Sequence, residues 1–223
     1  MRTSILLLLI FGLSCSTKDN GQNMTSQPIE EFWTWFIKNE EDLKNFEKDP
    51  DKYLNKILTQ IVKIQEGLAV ELEPSVGNII GMTISADGDY TLFPIVERIY
   101  EKAPVLEGWK FYAFRQRAPI EKVKEFVLSN GEQELKVEDM KFAPIIENDS
   151  LDILVFVKGL TEENKNEIAY GGLLLLDNIL GEYDCVTKVR HYDFQAMPQD
   201  LRNSDLRPLY EVADFVDKFA AAK

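Results

Sequence analysis

Two groups of charged residues could do chemistry in this sequence. The first is the tetrapeptide Phe114-Arg115-Gln116-Arg117. In an extended strand Arg115 and Arg117 project from the same side. Two guanidinium forks placed together can hold a carboxylate or phosphate bidentately. The plainer role, in a chain this acidic, is to pair with the protein's own carboxylates. The second group is Glu182 and Asp184, either side of Tyr183, with Asp87 at another expected strand end. Carboxylates gathered there could form a metal pair or a general acid and base. Their plainer role is to hold the arginines in an internal network. Asp87, Arg115, Arg117, Glu182 and Asp184 are therefore candidates for ligand binding or internal ion pairing, and no residue is assigned as catalytic.

The remaining inventory is sparse. The chain has one histidine, His191, and two cysteines, Cys15 and Cys185. If Cys15 is consumed by the leader described below, Cys185 has no disulfide partner, and too few soft ligands remain for a zinc site of the usual type. There is no Gly-rich phosphate loop, nucleophile elbow, HExxH pattern or paired CxxC, and Ser85 and Ser129 lack a GxSxG context. No cofactor and no metal site is expected. The formal net charge is −13, with a pI near 4.6. A surface of that sign repels phosphate backbones, which argues against nucleic acid as a partner.

The elements that must position these residues follow from hydrophobic periodicity. The 223 residues, 45% hydrophobic and 11% aromatic, suffice for a sizeable core. Apolar residues at helical spacing predict a helix over 29–46 and a second from Asp49-Pro50 to Gly67, with Asp49 as N-cap and Pro50 in the first turn. Alternation over 68–72 and 80–86 predicts a hairpin, followed by a helix over 92–103 and a third strand over 109–115. Asn130-Gly131 and Asn148-Asp149 predict two more hairpins. A helix then starts at Thr161 as N-cap and runs through Leu173 to Leu176, apolar on nearly every side and so expected to be buried over most of its circumference. It ends at Gly181, a strand follows over 185–194, and a last helix begins at Pro208. No internal repeat is visible. The expected fold is α+β: a single-domain two-layer sandwich over 29–223, with a mostly antiparallel sheet and helices mainly on one face.

The N-terminus looks like an address. Arg2 precedes an apolar run, ILLLLIFGL over 5–13, too short to span a bilayer as a helix, and the run ends in Ser14-Cys15. This resembles the bacterial lipoprotein signal in the relaxed form found in Bacteroidota, with Gly12 where an aliphatic residue is more usual. The resemblance implies a signal peptide over 1–14 and acylation of Cys15, which would anchor the chain to a membrane. The polar stretch that completes 15–28 is expected to be a flexible tether. Lys18-Asp19 resembles a charged export tag, which implies outer-membrane residence with display at the surface.

The segments FWTWFIKNE (32–40), ISADG (84–88), FPIVERIYEKAP (93–104), WKFYAFRQR (109–117) and LLLLDNILGEYD (173–184) together resemble an uncharacterised bacterial domain family. That resemblance implies a self-contained bacterial domain and carries no activity or site residue. Two functions are weighed. The leading one is a non-enzymatic, membrane-anchored binding module of the cell envelope, taking a protein partner or a small anionic ligand at Arg115 and Arg117. The alternative is a carboxylate-dependent hydrolase or metal-binding enzyme using Asp87, Glu182 and Asp184. Convergence of those three carboxylates in an open cleft would favour the enzyme.

Overall fold

A computed structural model describes residues 19–129, 134–200 and 205–222, and over these the chain is α+β. Helix α1 (Asp19–Leu43) begins inside the stretch expected to be a tether and carries Pro28 within it. Its apolar stripe buries Ile29, Phe32, Trp33, Phe36 and Leu43. Helix α2 (Pro50–Ile61) starts as its sequence dictates: the Asp49 carboxylate accepts the Lys52 N–H and Pro50 occupies the first turn, where its missing donor costs nothing. Cys15 and the apolar leader lie outside the described residues, among which no helix is long and apolar enough to cross a membrane.

Strands β1 (Ala69–Val76) and β2 (Ile79–Ser85) form the expected hairpin. Gly77 and Asn78 both adopt positive φ at its tip, the combination that matches the twist of the flanking strands. Helix α3 (Phe93–Glu101) then crosses back, and β3 (Trp109–Ala113) pairs parallel to β2 in the order β1-β2-β3. The short helix α4 (Ile120–Lys124) follows, with no counterpart in the sequence reading. The small hairpin of β4 (Val127–Ser129) and β5 (Glu134–Lys136) comes next. Its expected Asn130-Gly131 turn lies outside the described residues.

The same plan then recurs. Strands β6 (Lys141–Glu147) and β7 (Ser150–Val157) form a hairpin through Asn148 and Asp149, again both at positive φ. Helices α5 (Lys165–Leu180) and α6 (Glu182–Lys188) cross over, and β8 (His191–Ala196) pairs parallel to β7. A two-residue strand, β9 (Arg207–Pro208), completes the order β8-β7-β6-β9, and α7 (Val212–Ala221) closes the described chain. Hairpin, helical crossover and parallel return thus occur twice. Each copy packs its own core: an aromatic one around Phe36, Trp109 and Phe111, and a largely aliphatic one around Ile153, Val155, Leu176 and Val216.

Several expectations need correction. Antiparallel pairings do outnumber parallel ones, but they belong to two mixed sheets and a small hairpin rather than one sheet. Residues 185–194 do not form one strand: Cys185 to Lys188 belong to α6, and β8 begins only at His191. The β-branched Val186 and Thr187 favour a strand locally, but packing of Tyr183 and Val186 against the first core overrides that preference. Helix α5 begins at Lys165, not after Thr161. The Asn164 amide folds back on the preceding turn, accepting from the Thr161 N–H and donating to the Gly159 carbonyl. Nor is α5 buried all round, for Tyr170 and Leu173 are exposed.

Candidate functional site

The candidate residues meet where the two halves of the chain join. Parallel strands β2 and β3 both end there, and the next backbone N–H groups point outward from their carboxyl ends, the usual place for a ligand in parallel sheets. The Glu182 carboxylate already fills this place. Its Oε1 accepts from the N–H groups of Ala86 (2.9 Å) and Gly88 (3.2 Å), and its Oε2 from that of Arg115 (3.0 Å). The Glu182 N–H in turn donates to the Arg115 carbonyl at 3.0 Å. Glu182 is fully buried. Its position depends on Gly181, whose φ of +78° breaks the crossover into α5 and α6 and turns Glu182 toward the first half.

Arg115 is the second fastening. It lies beyond the end of β3, so it does not share a strand face with Arg117 as the sequence pattern suggested. Phe114 precedes it at φ +66°, a conformation that bulky residues rarely adopt. Phe114 is held there by its N–H bond to the Ile84 carbonyl and by ring contacts with Phe93 and Tyr183. The turned chain sends the Arg115 side chain inward, where Nε meets Glu71 (2.6 Å), Nη2 meets Asp87 (2.9 Å) and Nη1 meets Asp177 (3.2 Å). Burial opposes its charge, but Glu71 and Asp87 outweigh that and push its pKa above the usual value. Arg117 is held separately, by Asp217 at 2.7 Å and Asp184 at 3.1 Å, with Lys188 bridging the same two acids. Every guanidinium nitrogen of Arg115 and Arg117 thus has an internal acceptor.

The three acids of the enzymatic alternative accordingly diverge. Asp87 faces Arg115, Asp184 faces Arg117 and Lys188, and Glu182 faces backbone N–H groups. Among the described residues no group of three His, Cys, Asp or Glu side chains is arranged to hold a metal ion.

Beside this junction a cleft of about 490 Å³ opens between the halves. Asp87 and Gly88 line it from the first half. From the second half come an apolar wall of Leu173, Leu174, Val186 and Val189, and the polar groups of Asp177, Cys185, Arg190, His191 and Tyr192. The exposed Tyr170 stands at its edge. Burial raises the Asp177 carboxyl from 3.8 to about 6, against the opposing pull of Cys185 and Arg115. Burial, then the Asp177 charge, also pushes the Cys185 thiol up, so it is no ready nucleophile. That thiol donates to the Tyr192 hydroxyl at 3.2 Å, and the hydroxyl donates to the Cys185 carbonyl at 2.9 Å. Arg190 is paired with Asp152 (2.6 Å) and Glu147 (3.3 Å).

Sequence reasoning missed Asp177, Glu71 and Asp217. Asp177 carried a signal, since it is the lone acid inside the run Leu173 to Ile179, where a charge needs a partner to be buried. Glu71 and Asp217 carried none, for each sits among many other surface acids. No family model, no curated protein and no solved structure matches the chain.

Proposed function

We propose that this chain is a non-enzymatic binding module of the bacterial cell envelope, anchored through acyl chains on Cys15, that takes a small ligand in the cleft between its two halves. One observation carries the reading. The five charged candidates each have an internal partner, while an open cleft with an apolar wall and a few converging polar groups lies beside them. That is the usual make-up of a small-molecule site. The hydrolase or metal-enzyme alternative has less support, because Asp87, Glu182 and Asp184 face three different partners. The acidic balance of the chain argues against nucleic acid.

Two measurements test the two parts. Labelled palmitate should enter the wild-type chain and not Cys15→Ala; equal labelling would end the anchor. Mass spectrometry of small molecules released from the natively purified protein should detect a species that is lost from Leu173→Trp, which fills the cleft. Identical extracts from both would end the cleft reading.

A further inference from the structure

Resting on that reading, we infer that the cleft selects a cation with an apolar body, a small primary amine or guanidinium compound, rather than an anion. The charges on its junction side decide this, where Asp87 and Asp177 line the cleft and the others lie behind them. Three carboxylates, Glu71, Asp87 and Asp177, contact the single guanidinium of Arg115, and the Glu182 carboxylate lies behind them on backbone N–H groups. One positive charge against four negative ones leaves that side of the cleft strongly negative. Arg190, which also lines the cleft, does not reverse this, since it is itself matched by Asp152 and Glu147.

The geometry leaves room for a further positive group. The Asp87 side chain stays 44% exposed while only its Oδ1 contacts Arg115, so Oδ2 is free to meet an ammonium without disturbing the junction. Asp87 lines the cleft, so that oxygen is within reach of a ligand bound there. The apolar wall of Leu173, Leu174, Val186 and Val189 then covers the ligand's body, and the Tyr170 ring at the edge offers a face that attracts cations. An anion would meet the same wall but repulsion from the junction side.

The test uses three probes of one shape, namely 2-phenylethylamine, 2-phenylethanol and phenylacetate, titrated into the whole folded chain with binding read by NMR shifts of cleft residues. The amine should bind at least about tenfold more tightly than the alcohol, the strength of one charge-assisted hydrogen bond, and phenylacetate should not bind. Asp87→Asn, which tolerates the same backbone, should remove the amine's advantage and leave the alcohol unchanged. Two results would overturn the inference: alcohol or acid binding as well as the amine, or Asp87→Asn without effect on the amine. If, in addition, the alcohol still binds and Leu173→Trp abolishes it, the cleft survives as a site without charge selection. If no probe moves any cleft residue, the site and its selectivity fall together.

Discussion

The first half and the second half share a plan but differ in how their crossover is built, and the difference makes the joint. In the first half a single helix, α3, leads from β2 to β3, with Val96 and Ile99 buried against the sheet. In the second half the crossover breaks at Gly181 into α5 and α6. The break releases a short helix that belongs to both cores. Tyr183 and Val186 pack on the first, Cys185 lies in the second, and Glu182 ties off the ends of β2 and β3. One half is closed on itself. The other extends a carboxylate into its neighbour, and a buried charge held that way fixes orientation because the buried N–H groups of Ala86 and Arg115 have no other partner.

The largest test of this comparison is Glu182→Ala. It leaves the N–H groups of Ala86, Gly88 and Arg115 unpaired, and urea unfolding should show a loss of about 4 kcal/mol. A loss below about 1 kcal/mol would mean that the halves are not joined through this residue. Arg115→Met should cost about 3 kcal/mol, since Asp177 is then buried without its counter-charge. If Arg115→Met proves neutral, the guanidinium contributes no fastening and only the Glu182 contacts matter. Gly172→Ala sharpens the contrast between crossovers. A Cβ at Gly172 would clash with the edge of the Phe194 ring, so α5 lies close upon β8, and overpacking should cost about 2 kcal/mol. Alanine accepted without loss of stability would show that α5 and β8 have room to separate.

Asp177 links stability to pH. Its carboxyl titrates near 6 in the folded chain against an ordinary 3.8, so the folded state binds the proton more tightly. Stability from this group therefore rises as pH falls from about 6 toward 3.8, and burial of the charged form costs stability above pH 6. Relative to Asp177→Asn, the wild type should lose on the order of 2 kcal/mol between pH 4 and pH 7. Parallel profiles would mean that Arg115 compensates the charge fully. The smallest effect belongs to Arg117→Ala. This half-exposed network of Asp184, Asp217 and Lys188 should contribute about 1 kcal/mol or less, diminishing further in salt.

How much of this was legible in the sequence depends on the distance over which each feature is determined. The Asp49-Pro50 helix start, the Asn148-Asp149 turn and the apolar stripe of α1 are local, and the folded chain has them where the residues suggest. The five charged candidates were also visible as residue types. Their pairing with one another was legible too, and in the folded chain Asp87 meets Arg115 and Asp184 meets Arg117. The hold of Glu182 on backbone N–H groups was not, because Glu182 and Ala86 are 96 positions apart and nothing local says that they meet. The run from Cys185 went wrong for the same reason. Its strand preference is a local property, while the helix it forms is imposed by two cores. The doubled hairpin–helix–strand plan is not legible in the sequence because one copy is packed with aromatic residues and the other with aliphatic ones, so the topology repeats while the letters do not.

The claim at the centre of this account is that Glu182 makes two cores unfold as one. The chain supplies a reporter for each: Trp33, Trp35 and Trp109 all lie in the first half, and Cys185 is a buried thiol in the second. With Cys15 replaced by alanine, tryptophan fluorescence and thiol labelling can be followed through the same urea titration. The wild-type junction should give coincident transitions, and Glu182→Ala should split them into two. Transitions already separate in the wild type, or still coincident at an unchanged midpoint in Glu182→Ala, would contradict it.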